Sequence, residues 1–261
     1  MITGSSSKSL FNPRANLQVV KFDDRHFCLV IDDALAEPEQ LVQFAAERSD
    51  AFRSLDFSAY PGNYLMAPEQ VVSGLSDFFL RHVRRRFDAR RCEQVHCRYS
   101  MVTLPPAALR PRQWFCHVDD ALFDARHRMI ASVLYLFKDE SLGGTSFYVQ
   151  TRPAADTAAM LNAADTLSPE AFTQQYGIQA GYQHGSNAYY RRIGGAEAKW
   201  NRLIFYDGGT LHSGDIARPE KLSVDPRVGR LTLNGFFTCR RHLDRPSAAS
   251  DHELRYARMS T

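Results

Sequence analysis

NRLIFYDGGTLHSGDI, residues 201 to 216, reads as a strand, a tight turn and the start of a second strand. Leu203, Ile204, Phe205 and Tyr206 are the aliphatic and aromatic types that fit a pleated sheet. Asp207-Gly208-Gly209 supplies turn chemistry, and His212 opens the element that follows. The same texture recurs on either side. VHCRYSMVTL, MIASVLYLF, GTSFYV and GRLTLNGFF are short, rich in β-branched and aromatic residues, and separated by Gly, Pro and Asp. After about residue 94 no helices alternate with these strands, which predicts a β barrel or sandwich and not a parallel α/β sheet.

Further upstream, LQVVKF and HFCLVIDDAL carry strand-like runs broken by a turn at Asp23-Asp24. Two helices are expected next, about 38 to 48 and about 68 to 86, each opening on Pro-Glu; proline in a first turn sacrifices no needed hydrogen bond. The basic run Arg81, Arg84, Arg85 and Arg86 reads as the solvated face of the second helix. Between residues 151 and 199 the chain is rich in Ala, Gln and Gly with weak periodicity. SPEAFTQQYG predicts one short helix capped by Ser168, and the segment as a whole is expected to be a lid or binding insert. Residues 1–15 are expected to fray, 16–245 to form one domain, and 246–261 to be a tail.

Of 261 residues, 44% are hydrophobic and 23% charged, an ordinary composition for a packed domain. A net charge of +3 with 29 acidic residues gives no electrostatic footprint for nucleic acid. Five cysteines without a CxxC pair read as thiols of a reducing compartment. With neither a leader pattern nor an apolar span, the expected location is the cytoplasm and no membrane partner is expected.

WFCHVDD, residues 114 to 120, holds the candidate chemistry. Strand residues two apart project to one side, so His117 and Asp119 can present an imidazole and a carboxylate together. Two histidines and one carboxylate on a single face hold iron(II) and leave positions open for substrates, and His212 is the candidate third ligand. A second H-x-D, His242-Leu243-Asp244, lies in the polar tail RRHLDRPS and reads as solvated chain.

The order of these pieces resembles the iron(II)- and 2-oxoglutarate-dependent dioxygenases, in particular their prolyl-4-hydroxylase-like branch, over about residues 18 to 240. HFCLVIDDALAEPEQLVQFA is similar to that branch's first strand and helix, GGTSFY to its Gly-Gly strand, and VGRLTLNGFF to its closing strand with a basic residue. The resemblance implies a double-stranded β-helix (jelly roll, cupin-like), mostly β with N-terminal helices. It implies iron(II) held by His117, Asp119 and His212, and 2-oxoglutarate and O2 as cosubstrates. It places Arg230 against the far carboxylate of 2-oxoglutarate, with Thr232 adding a hydroxyl and Tyr99 contacting the cosubstrate. The implied activity is hydroxylation of a small molecule or a protein side chain, with decarboxylation of 2-oxoglutarate to succinate. Arg230 stands farther after the distal histidine than in many family members, so Arg218, Lys221 and Arg227 are alternatives; Arg230 alone lies in a strand pattern.

Around these positions, Asp120 reads as a turn acid or a partner of a ligand, Cys116 as a buried thiol pointing away from the metal, and Asp207 as the shaper of its turn. His184 reads as either a pocket or an exposed loop residue. Trp114 and the run Tyr189-Tyr190-Arg191-Arg192 are candidate substrate surfaces. Two rivals stand beside the oxygenase reading: a non-catalytic jelly-roll binding or sensing protein, and a cupin-type metalloenzyme that does not use 2-oxoglutarate.

Overall fold

The computed structural model describes residues 10–54, 60–119 and 126–241. Asp120 and the second H-x-D lie outside the described residues. The chain opens with a hairpin of β1 (Leu17–Lys21) and β2 (Phe27–Ile31), turned where the Asp23 carboxylate accepts hydrogen bonds from the amides of Arg25 and His26. Helix α1 (Pro38–Ala46) follows and buries Leu41 and Ala45, four apart and so on one face. An edge strand, β3 (Gly62–Met66), precedes α2 (Glu69–Phe78), which buries Val71, Leu75 and Phe78 at helical spacing. The coil then widens over Phe79–Val83 and tightens over Arg84–Phe87, and ends at Asp88 in the left-handed conformation. Arg81, Arg85 and Arg86 are exposed, as expected of a solvated face, but Arg84 is half-buried and donates to the Arg90 carbonyl.

From there the strands fall into two sheets. Strands β4 (Ala89–Val102), β5 (His127–Tyr135), β8 (Leu203–Asp207) and β10 (Leu231–Arg241) join the first three in a seven-stranded antiparallel sheet, ordered β1-β2-β8-β5-β10-β4-β3. Strands β6 (Thr145–Gln150), β7 (Tyr190–Ala196) and β9 (Leu211–Gly214) make a three-stranded sheet, ordered β7-β6-β9, which an isolated bridge between His117 and His212 extends at its β9 edge. After β4 the path swaps sheets repeatedly, from the His117 bridge to β5, to β6 and β7, to β8, to β9 and to β10. This is the double-stranded β-helix, with two facing sheets that do not close into a barrel.

The large sheet is buried on both faces, which explains why its strands read as near-continuous apolar runs. Alternate residues point to opposite sides. Leu29, Ile31, Ile130, Leu134, Leu203, Phe205, Leu233 and Phe237 pack with α1 and α2 on one side. Val30, Val133, Tyr135, Ile204 and Tyr206 pack on the other with Phe147 and Ala196 of the small sheet and with Ala198 just beyond it. Full burial of each such Leu, Ile, Val or Phe contributes about 1.5–3 kcal/mol.

The segment from 151 to 199 is more structured than its composition implies. It contains α3 (Ala154–Thr166), α4 (Pro169–Tyr176) and β7, which pairs with β6. The Ser168 hydroxyl accepts from the Ala171 amide, the expected cap. Helix α3 escapes the periodicity argument because alanine, the best helix former, fills it and marks no apolar stripe. Phe172 of α4 is fully buried, with Trp114 and Phe115 edge-on to it at 5.7 and 5.8 Å. Trp114 and Tyr190 are therefore core residues under the helices, not a substrate surface; Arg191 and Arg192 are exposed. No helix among the described residues is long and apolar enough to cross a membrane.

Candidate metal centre

His117 and His212 face each other across the edge of the small sheet. Each donates its amide to the other's carbonyl, at 2.9 and 2.8 Å, so their side chains leave the sheet on the same side. The imidazole centroids are 4.5 Å apart. Asp119, two residues on, donates its amide to the Gly208 carbonyl at 2.8 Å, which ties the H-x-D segment to the turn before β9. Asp207 shapes that turn, its carboxylate accepting from the Gly209 amide.

The three side chains converge. His117, Asp119 and His212 each offer a ligand atom within 4.8 Å of the others, the one such group of three found among the described residues. Asp119 Oδ1 lies 3.7 Å from His117 Nε2 and its Oδ2 lies 3.3 Å from His212 Nε2. Oδ2 is buried and makes no hydrogen bond. A buried carboxylate oxygen without a donor is costly; a cation between it and the imidazoles satisfies it, so the donor set fits a metal. His212 Nδ1 lies 2.9 Å from the Thr210 carbonyl, which selects the tautomer that donates there and leaves Nε2 as a free lone pair.

The electrostatics agree. Burial lowers both imidazoles to about 4, with His212 adding to the fall at His117, so both are in the neutral, ligating form. The pull is firmest on His212, 7% exposed at its side chain; His117, 48% exposed, is better solvated. Burial raises the Asp119 carboxyl, offset in part by the neighbouring His117, Arg98 and Tyr206.

Arg230 stands one residue before β10 and is 5% exposed. Its Nε donates to the carbonyls of Leu142 and Gly143, and Nη2 to that of Gly144. The Gly-Gly pair itself is required by close backbone approach: Gly143 has φ +88°, and a Cβ on either glycine would collide with backbone, of Asp215 or of Ala196. Arg218, Lys221 and Arg227 instead sit in surface pairs with Glu220, Asp139 and Asp225. Thr232 faces the space between the sheets, but its hydroxyl donates to the Ser100 carbonyl at 3.3 Å.

Tyr99 points the other way. It is fully buried in the helix-side core and stacked 5.6 Å from Phe44, so it does not face the cosubstrate region. The residues of β4 that share a face with Thr232 and Asn234 are their register partners Ser100 and Arg98. Strand parity decides this, and one step along a strand reverses it. Tyr206 and Arg98, both acting on Asp119, were missed by sequence reasoning; the pairing of β4 with β10 is the signal that locates Arg98. Cys116 is buried beneath α4, away from the triad, and His184 is exposed. Surface concavities of about 460 and 420 Å³, beside α1 and between the loops at Asn63 and Asp225, contain none of the three candidate ligands.

Among solved structures, the chain is similar to a prolyl 4-hydroxylase from Phytophthora capsici, at 11% identity and TM-score 0.43, over 87% of this chain and 65% of that one. The chain thus spans less than two thirds of that protein. It is also similar to HygX from Streptomyces hygroscopicus, solved with nickel and 2-oxoglutarate bound, at 9% identity and TM-score 0.41, over 83% of each chain. No curated protein matches the sequence. A family model does match, over residues 13–237, and by it the chain belongs to the family described as a family of unknown function, DUF6445.

Proposed function

We propose that this protein is an iron(II)- and 2-oxoglutarate-dependent oxygenase. The carrying observation is the triad His117, Asp119 and His212, whose ligand atoms converge within 4.8 Å around a carboxylate oxygen that has no hydrogen-bond donor. Iron(II) with 2-oxoglutarate supplies oxidative decarboxylation of the cosubstrate to succinate and CO2, coupled to transfer of oxygen from O2 to a substrate C–H bond. The chain's own residues do the positioning. The cross-strand pair holds both imidazoles on one side of the sheet, where they would ligate the metal, and the Thr210 carbonyl orients the His212 ring. Arg230 brings a buried positive charge toward Tyr135 and Tyr206 between the sheets, a setting for the far carboxylate of 2-oxoglutarate. The rings of Tyr206 and Phe147 line the His212 side of the triad, while His117 stays open to solvent.

One observation favours a second reading, a cupin-type metalloenzyme without 2-oxoglutarate: Arg230 already spends Nε and Nη2 on backbone carbonyls, which suits a structural arginine. Anaerobic titration of the apoprotein with iron(II), then with 2-oxoglutarate, separates the two. The expected result is iron binding that His212→Ala abolishes, followed by a weak visible charge-transfer band that Arg230→Lys weakens while iron stays bound. Wild-type iron affinity in His212→Ala would overturn the ligand set. Iron binding with no band would transfer the protein to the second reading.

A further inference from the structure

The space between the sheets holds a second arginine that the metal reading does not use. Arg98 leaves β4 on the face shared with Ser100, Thr232 and Asn234, and stands opposite Asn234 in register. Its guanidinium carbon lies 5.0 Å from the centre of the Tyr64 ring and 4.9 Å from that of Phe236. Its Nε is buried without a hydrogen bond, and so is Asn234 Oδ1 across the strand pair. Among the described residues Arg98 has no ion-pair partner. The face of the large sheet that carries Arg98, Asn234 and Phe236 packs on Phe147, whose register partner is His212, so Arg98 and the triad front the same space between the sheets.

Charge balance then points to a ligand. On the oxygenase reading, a divalent metal and dianionic 2-oxoglutarate cancel, and the Asp119 carboxylate offsets one guanidinium. Among the described residues one arginine is left over. Arg230 is solvated by three carbonyls; Arg98 is not. Two aromatic rings close on its guanidinium, which favours a planar group that pairs edge-on through two parallel hydrogen bonds. A carboxylate has that shape, and as a monoanion it completes the balance, whereas a phosphate overshoots it.

We infer that Arg98, with Asn234 beside it, binds a carboxylate on the primary substrate next to the metal, so the protein acts on a carboxylic acid. The inference rests on the oxygenase reading. It is tested on cobalt(II)-loaded protein saturated with 2-oxoglutarate without O2. The probes are the straight-chain monocarboxylates from acetate to hexanoate and their amides. The readout is paramagnetic relaxation of probe protons by cobalt, which reports approach to the metal without turnover. At least one acid is expected to bind about tenfold more tightly than its amide, the size of a charge-assisted hydrogen bond. Arg98→Gln should abolish that preference and Arg98→Lys should keep part of it, both with 2-oxoglutarate affinity retained. Equal binding of acids and amides, or a preference that survives Arg98→Gln, overturns the inference alone. Loss of 2-oxoglutarate in Arg98→Gln also overturns it, making Arg98 the cosubstrate's anchor. Failure to load cobalt overturns the metal reading and this inference together.

Discussion

The two faces of β10 carry opposite chemistry on one backbone. Toward the helices it presents Leu231, Leu233 and Phe237, fully buried, with the Phe237 ring 4.1 Å from Phe79. Toward the small sheet it presents Thr232, Asn234 and Phe236, opposite Ser100 and Arg98. The first face is close-packed and apolar. The second leaves buried polar atoms unpartnered, Asn234 Oδ1 and Arg98 Nε among them, together with Asp119 Oδ2 nearby. Such atoms cost stability in a protein interior. Toward the helices Tyr99 Oη is unpartnered as well, so the small-sheet face carries most, not all, of that cost.

The largest effect should come from breaking the apolar face. Phe237→Ala is expected to lower unfolding free energy by about 3–5 kcal/mol in urea denaturation, through lost burial plus a cavity. Nickel(II) affinity, measured by calorimetry on the folded variant, should stay unchanged; a parallel loss of metal binding would mean the two faces are not independent. The site face makes a prediction about pH. Because the imidazoles titrate at about 4, protons do not compete for them near neutrality. Asp119, raised by burial, is then the ligand that protons reach first, so nickel(II) affinity should fall by less than about tenfold from pH 7.5 to 5.5 and more steeply only toward the imidazole values. Ordinary imidazoles near 6.5 would weaken it about tenfold per histidine over that range. The smallest effect has the opposite sign. Asn234→Leu, nearly isosteric, is expected to raise metal-free stability by about 1 kcal/mol by removing a polar group that lacks a partner. Destabilisation there would reveal a partner for the amide and blunt the contrast.

Much of this was legible in the chain. The apolar runs located β2, β5, β6, β8 and β10 because strands buried on both faces have to be apolar throughout. Chain order picked out His117, Asp119 and His212, which the structure brings together. Other elements left no local mark. Strand β3 is a short edge strand of mixed composition, β7 hides in a basic, glycine-containing stretch, and α3 is an alanine-rich helix without a stripe. Tyr99, expected at the cosubstrate, lies in the helix-side core for a related reason: neighbours on one strand face opposite ways, and nothing local says which side holds the triad.

The sequence by itself determined that the chain is mostly β with helices before it, where most strands lie, and which H-x-D is embedded among them. Those properties follow from residue types and short spacings, which act locally. Tertiary structure alone decided which strand face meets the triad, that Arg230 is held by the Gly143-Gly144 backbone, and that Arg98 has no ion-pair partner among the described residues. These depend on register between strands more than a hundred residues apart, as in the pairing of Asn234 with Arg98, and register is set when whole faces bury together.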